Sequence, residues 1–248
     1  MRVVTGVHRS GTSLVAMTLD ALGMEFGDQD AFYAADEWNE EGYFERRDII
    51  DLNSRIITGF PRTKGRIAST RSQMGYALQP PRASIDRRAE ALRNEIDRTA
   101  EGLGGIFVKD PRFALTLPAW HPHVQDVVVS LRRPDQVAHS LKRRQRVPLW
   151  VSYRFWDYHA RSLLALNHHR VHYVDFDVLA SESPGNELEG LARFLGVSAP
   201  TSDLTSALRA RFVPDLKHFD TDIPVNLPRS TRQLWEALSA RRDSAGRA

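Results

Sequence analysis

The stretch that decides the fold is Val3-Val4-Thr5-Gly6-Val7-His8-Arg9-Ser10-Gly11-Thr12-Ser13-Leu14. A β-branched run ends at Gly6, and apolar residues at helical spacing follow Gly11, an order that predicts a strand, a tight loop and a helix. Glycines let the backbone approach an anion, and the first N–H groups of the helix point toward it with the helix dipole behind them. The stretch therefore predicts an anion-binding loop at the start of an α/β domain.

This loop departs from the phosphate-loop pattern G-x-x-x-x-G-K-[ST] at one place. Thr12 stands where that pattern has the lysine that reaches the β- and γ-phosphates of a nucleoside triphosphate, and the positive charge lies instead at Arg9. The sequence therefore argues against ATP or GTP chemistry but keeps the anion site. The alternative is an ordinary strand-to-helix turn, and the polar side chains of His8, Arg9, Ser10, Thr12 and Ser13 weigh against it.

The loop resembles the 5′-phosphosulfate loop of the sulfotransferases that use 3′-phosphoadenosine 5′-phosphosulfate (PAPS). Its Arg9-Ser10-Gly11-Thr12-Ser13 segment matches the family's basic-S-G-T-[TS] core. The resemblance implies PAPS as the donor and adenosine 3′,5′-bisphosphate as the product. It also implies that Arg9 takes part in catalysis, and that the donor is bound by His8, Arg9, Ser10, Gly11, Thr12 and Ser13.

A second motif supports the same family. Ser130-Leu131-Arg132 is followed by a proline and a helical pattern, and it is similar to the family's 3′-phosphate motif, in which a strand-end arginine and a serine eight residues later hold the phosphate. Those positions are Arg132 and Ser140, and the tyrosylprotein-type enzymes add an arginine that falls on Arg144. An arginine fork suits paired phosphate oxygens. Taken alone, Arg132 and Arg133 are also compatible with an exposed surface pair.

The third motif is Lys109-Asp110-Pro111, at the expected carboxyl end of a buried strand, where open parallel sheets bind their ligands. Several sulfotransferases carry K-D-P there, which implies that Lys109 stabilises charge on the leaving phosphate. A salt bridge of Lys109 with a nearby carboxylate is the structural alternative. Weaker similarity to the family's downstream region lies at Phe176-Asp177-Val178-Leu179 and at Phe194-Leu195-Gly196.

Several residues are candidates for the catalytic base. Pro111 stands where cytosolic aryl sulfotransferases have their base histidine, and their carboxyl-terminal R-K-G segment is absent, so the chain resembles the bacterial, carbohydrate and tyrosylprotein branches more closely. In those branches a glutamate after the first helix is the base, and Glu45 is the first candidate. Glu41, Asp110 and His8 are alternative bases. The structural alternative for Glu45 itself is a carboxylate at a helix terminus without catalytic function.

Strands and helices alternate along the chain, which predicts a P-loop-like, doubly wound parallel sheet flanked by helices, in one domain spanning 1–248. The expected strands are near 2–6, 106–108, 127–131 and 171–176. The expected helices begin at Thr12, near Tyr43, at a capping Ser84, at 135, at 149, near 188 and at a capping Ser230. A long polar loop is expected over 62–81, variable substrate loops at about 24–44 and 59–84, and a helical tail at about 200–248.

Composition limits the class of protein. The 248 residues contain no cysteine, which excludes disulfides, thiolate catalysis and cysteine-ligated zinc. No signal segment and no apolar run of membrane-spanning length is found, and a cytoplasmic location is expected. The net charge is only +3, but basic residues cluster over 62–71 and 132–146. Such clusters bind nucleic acid or a small polyanion, and no groove-reading motif favours nucleic acid.

These observations together predict a PAPS-dependent sulfotransferase that needs no metal and transfers a sulfuryl group to a hydroxyl or amine of a small-molecule or carbohydrate acceptor. One alternative is a phosphate-loop kinase that acts on a small molecule. Another is a non-catalytic nucleotide-binding relative. The sequence indicates neither the acceptor nor the oligomeric state, because acceptor pockets are formed by variable loops.

Overall fold

Four parallel strands form the central sheet of the computed structural model, which describes residues 1–33, 44–167, 170–198, 205–206 and 226–245, except for the side chains of 144 and 145. The strands are β1 (Arg2–Gly6), β2 (Phe107–Lys109), β3 (Asp126–Leu131) and β4 (Val171–Asp175), in the order β2-β1-β3-β4. Gly6 is in register with Ser130, and Val4 with Lys109. The carboxyl ends of β1, β2 and β3 therefore lie side by side.

Helices connect and cover these strands. They are α1 (Thr12–Ala21), α2 (Arg47–Thr58), α3 (Arg66–Ala77), α4 (Arg82–Ala91), α5 (Arg93–Glu101), α6 (Phe113–Trp120), α7 (Pro134–Gln145), α8 (Leu149–Leu164), α9 (Phe176–Leu179), α10 (Gly185–Leu195) and α11 (Arg229–Ala245). Short 3₁₀ turns lie at Gln29–Ala31 and His121–His123. Within the described ranges, no helix is long and apolar enough to cross a membrane.

Both faces of the sheet are buried. Successive side chains of a strand point to opposite faces, so Val3 and Val127 pack with α2, α6 and α8, while Val4 and Val128 pack with α1 and α10. A parallel sheet covered on both faces needs apolar residues at consecutive positions, which explains the unbroken valine runs in β1 and β3. The predicted doubly wound α/β fold is confirmed.

Several local predictions are wrong. The polar segment 62–81 contains α3 instead of a continuous loop. Buried Asp51 accepts hydrogen bonds from the backbone N–H groups of Arg62 (2.8 Å) and Thr63 (2.6 Å), and these bonds fix the chain just before that helix. Gly75 then packs against Thr58, where a β-carbon would lie 2.9 Å from the threonine Cβ. Tertiary contacts of this kind leave almost no apolar periodicity in a sequence.

Helix boundaries differ as well. Ser84 does not cap a helix, since α4 begins at Arg82 after Pro81, and the helix expected from Ser84 is divided into α4 and α5 at Leu92. Ser230 lies inside α11, and its hydroxyl donates to Asp157 at 2.8 Å. The sequence did not predict α6. Of the expected substrate loops and tail, 34–43, 200–204, 207–225 and 246–248 lie outside the described residues.

Candidate active site

The loop between β1 and α1 adopts a conformation that only glycine allows at its carboxyl end. Gly11 has φ +87°, and a β-carbon there would lie 1.9 Å from the ring of Phe176 at the start of α9. Gly6 is equally crowded, because a β-carbon would lie 2.5 Å from both Ser10 Oγ and the Ser130 carbonyl oxygen. The loop is therefore enclosed by the carboxyl ends of β3 and β4, and it lies between a strand and a helix, as the first sequence motif predicts.

Residues at the carboxyl end of β3 hold the loop by its carbonyl groups. Ser130 Oγ donates to the Ser10 carbonyl oxygen at 2.7 Å, and Arg132 Nη1 donates to that of Arg9 at 3.3 Å. Arg9 has φ +71°, and its Nε donates to Ser140 Oγ on α7 at 3.1 Å. The structure thus brings the two predicted phosphate motifs into direct contact, although they are separated by more than a hundred residues in the sequence.

Arg132 is a buried cation beside the loop. It is 6% exposed, its Nε donates to Gln136 at 2.8 Å, and its guanidinium carbon lies 4.2 Å from the centre of the Phe176 ring. Burial, helped by the charge of Arg9 and opposed by Asp177, lowers the pKa of Arg132 to about 10, so the group is a cation at neutral pH. Its Nη2 is buried without a hydrogen-bond partner among the described residues.

Two further polar atoms of the loop are buried without a partner in the described part of the chain. They are Ser10 Oγ and His8 Nε2. Burial, reinforced by the charge of Arg112, lowers the pKa of His8 well below its ordinary value, so this imidazole is neutral. Unsatisfied buried polar groups cost free energy, and of these atoms Ser10 Oγ and Arg132 Nη2 are donors that the oxygens of an anion would satisfy.

Lys109 and Glu45 meet beside the start of α1. Lys109 is 1% exposed, and its Nζ donates to Glu45 Oε1 at 2.6 Å and to Ser13 Oγ at 3.3 Å. Burial lowers the pKa of Lys109, and the neighbouring Glu45 carboxylate opposes that shift. The candidate base and the lysine that the sequence associates with the leaving group are therefore an ion pair, next to the loop.

Asp110 belongs to a buried hydrogen-bond network. Its Oδ1 accepts from Arg112 Nη1 at 2.9 Å and its Oδ2 from Asn53 at 2.9 Å. Burial raises the pKa of Asp110, and Arg112 opposes the shift. Because both oxygens are engaged by protein donors, Asp110 is poorly placed as a base, whereas the carboxylate of Glu45 is next to the loop.

The remaining predicted site residues are Thr12, Ser140, Arg144 and Glu41. Thr12 is buried at the first position of α1, and Ser140 is buried on α7. Arg144 belongs to α7 but its side chain is outside the described residues, and so is Glu41. Within the described ranges, no group of three or more histidine, cysteine, aspartate or glutamate side chains is arranged to hold a metal ion.

Sequence reasoning missed an aromatic wall beside His8. The His8 ring contacts Tyr76 of α3 edge-on at 5.3 Å between centroids, and Phe155 of α8 at 6.0 Å. The Tyr76 hydroxyl lies 2.5 Å from Nε2 of buried His159. Burial lowers the pKa of His159 to about 4, so this histidine is neutral as well. No local motif links these residues, because they come from α3 and α8.

Arg112 was also missed, although it directly follows the Lys109-Asp110-Pro111 motif. Its guanidinium lies 3.8 Å from Glu45 Oε2 as well as 2.9 Å from Asp110. Burial acts to lower the pKa of Arg112, but the carboxylates of Asp110 and Glu45 outweigh it and raise the pKa. The only sequence signal was a second basic residue three positions after Lys109.

Comparison with known proteins identifies the architecture. No protein-family model and no curated protein sequence matches the chain. Two solved structures resemble it throughout. A sulfotransferase domain from the Synechococcus PCC 7002 olefin synthase superposes with a TM-score of 0.53 and 16% identity, over 96% of this chain and 93% of that one. A sulfotransferase domain from the curacin biosynthetic pathway gives 0.54 and 16%, over 96% and 97% respectively.

At this level of identity the likeness establishes the fold and leaves the activity to be argued from the site. The P-loop-like fold that the sequence predicted is therefore the fold of known sulfotransferase domains.

Proposed function

We propose that this protein is a PAPS-dependent sulfotransferase that transfers a sulfuryl group to a hydroxyl or amine. The observation that carries the proposal is the contact between the two phosphate motifs. Arg9 donates to Ser140, and Arg132 donates to the Arg9 carbonyl while its Nη2 is buried without a partner among the described residues. PAPS carries two phosphate groups, so one of them can bind the loop while the other binds the neighbouring strand-end arginine.

In this proposal the loop of His8, Arg9, Ser10, Gly11, Thr12 and Ser13 holds the 5′-phosphosulfate, and Arg132, Ser140 and Arg144 hold the 3′-phosphate. Two features of the structure support the fit. Ser10 Oγ and Arg132 Nη2 are buried donors that phosphate oxygens would satisfy, and a β-carbon at Gly6 or Gly11 would collide with the walls of the loop. The guanidinium of Arg132 binds oxygens in pairs, which favours a phosphate over a single-atom anion.

The reaction forms a bond between the acceptor oxygen or nitrogen and sulfur, and it breaks the bond between sulfur and the bridging phosphate oxygen. That oxygen keeps the electron pair, and Lys109 and Arg9 stabilise the charge that develops there. Glu45 takes the proton of the acceptor through Oε2, because Oε1 is bound by Lys109 at 2.6 Å. The products are the sulfated acceptor and adenosine 3′,5′-bisphosphate.

The finer features of the proposal follow the sequence resemblance. They are a single domain over 1–248, membership of the bacterial, carbohydrate or tyrosylprotein-like branch, a small-molecule or carbohydrate acceptor, a mechanism without metal, no nucleic-acid partner and a cytoplasmic location. The engaged oxygens of Asp110 favour Glu45 over Asp110 as the base. Burial lowers the pKa of His8 well below its ordinary value, which makes its imidazole a weak proton acceptor.

Calorimetric titration with adenosine 3′,5′-bisphosphate tests the proposal first, because it needs no knowledge of the acceptor. Binding at micromolar to low-millimolar concentration is expected, and failure to bind at millimolar concentration would refute the proposal. Turnover of ATP with magnesium would identify the kinase alternative. Tight nucleotide binding without turnover of PAPS against any hydroxyl or amine acceptor would identify a non-catalytic relative.

A further inference from the structure

A second cation faces the candidate base. Glu45 Oε1 accepts a hydrogen bond from Lys109 at 2.6 Å, whereas Oε2 lies 3.8 Å from Arg112 Nη1. A separation of 3.8 Å is too long for a hydrogen bond but short enough for electrostatic attraction in a site where the side chains are 2–13% exposed. Arg112 therefore attracts the carboxylate without occupying the lone pairs of Oε2.

Arg112 is itself held from behind by a buried network. Asp110 Oδ1 accepts from both its Nη1 (2.9 Å) and its backbone N–H (3.0 Å). Asn53 of α2 donates to the other oxygen of Asp110, and its own carbonyl oxygen accepts from Thr116 (2.8 Å) and Trp120 (2.9 Å) of α6. The orientation of Arg112 is thus fixed by two helices that do not belong to the phosphate loop.

We propose that Arg112 is the positioning residue of Glu45, and that it keeps the carboxylate at the acceptor side of the site when Lys109 turns to the donor. The inference rests on the proposed function, in which Glu45 is the base. Lys109 Nζ is shared between Glu45 and Ser13, 3.3 Å away at the start of α1, so an anion in the loop competes with Glu45 for it. Without a second cation, Glu45 would lose its anchor at the step in which it accepts the proton.

The arrangement also resolves a conflict between holding a carboxylate and using it as a base. A direct hydrogen bond from Arg112 to Oε2 would stabilise the ionised form and block the atom that receives the proton. Attraction across 3.8 Å holds the group and leaves that atom accessible. Asp110, which binds the same guanidinium at 2.9 Å, prevents Arg112 from closing the gap.

The test compares the position of Glu45 in crystal structures of the full chain, with and without adenosine 3′,5′-bisphosphate. The variants are R112M and R112K. Because R112M leaves Asp110 as an unpaired buried carboxylate, the double variant D110N/R112M is made in parallel. The matched control is R82M, which removes an arginine that also supports α6, by a 2.7 Å bond to the Leu115 carbonyl, but lies outside the site.

With the nucleotide bound, the Glu45 carboxylate is expected to keep its wild-type position in the wild-type protein and in R82M. In R112K it is expected to keep that position or to lie within about 4 Å of the substituted side chain. In R112M and the double variant it is expected to leave that place when the nucleotide binds. An unmoved Glu45 in the nucleotide complexes of both variants would overturn the proposal, and so would an equal displacement in R82M.

Kinetics supply a second readout, with PAPS as donor and 4-nitrophenol as the probe acceptor. R112M is expected to lower kcat by about 10²-fold with the KM for PAPS unchanged, the penalty typical of a misplaced catalytic group, and R112K is expected to restore part of kcat. A parallel rise in the KM for PAPS would contradict a positioning role. Failure of the wild-type chain to bind the nucleotide would refute the proposed function itself, whereas nucleotide binding with an unmoved Glu45 in R112M and in the double variant would refute only the positioning role.

Discussion

Replacing Arg132 by alanine provides the sharpest test of the donor site. Its guanidinium is 6% exposed, and Nη2 has no partner within the described ranges, so the group is already desolvated before any ligand binds. Hydrogen bonds to a charged partner contribute about 1.5–3 kcal/mol each. Loss of one such bond together with the charge amounts to about 3 kcal/mol, or about a 100-fold loss of affinity for adenosine 3′,5′-bisphosphate.

The assay is isothermal titration of R132A with adenosine 3′,5′-bisphosphate and with adenosine 5′-phosphate, which lacks the 3′-phosphate. The second nucleotide is expected to lose much less affinity, because Ser130 still holds the loop that binds the 5′ end through the Ser10 carbonyl oxygen. R133A is the matched control, since Arg133 is its neighbour but has a 39% exposed side chain paired with Asp135 at 2.9 Å. Equal losses for both nucleotides, or equal effects of R132A and R133A, would refute the assignment of Arg132 to the 3′-phosphate.

Three further outcomes are expected. K109M should lower kcat for PAPS turnover by about 10²–10³-fold, as loss of one charge-stabilising donor does, whereas K142M, at an exposed position of α7, should not. G11A should lower the free energy of unfolding by about 2–4 kcal/mol in urea titrations, since φ is +87° and a β-carbon would lie 1.9 Å from a ring of α9, while G104A meets nothing within 4 Å. The pKa of His159 is about 4 in the folded state and near 6.5 when unfolded, so the unfolded chain binds the proton first. Its contribution to the free energy of unfolding, about 3 kcal/mol, is complete above pH 6.5 and is lost as the pH falls to 4. H159Q should therefore make the decline in stability between pH 6.5 and 4 shallower in denaturation curves. An unchanged slope would contradict the burial of a neutral imidazole.

Much of the fold could be predicted because it depends on local patterns. The valine runs of β1 and β3 specify buried parallel strands, and Gly59 and Gly196, both with positive φ, end α2 and α10 where the sequence indicates. Helix α3 could not be predicted. Its sequence is polar, and its position depends on the buried carboxylate of Asp51 and on close packing of Gly75 against α2.

The candidate site likewise depends partly on local patterns and partly on tertiary contacts. By itself, the sequence determined which residues have the chemistry for a phosphate: the loop glycines, Arg132 after β3 and Lys109 after β2, because the carboxyl ends of parallel strands share one edge of the sheet. Only the tertiary structure decided how these groups are paired. Glu45 precedes α2, but it meets Lys109 and Arg112 since α2 and α6 pack on the same face of the sheet. Distances between elements far apart in sequence are fixed by side-chain packing, and a linear pattern of residues does not encode them.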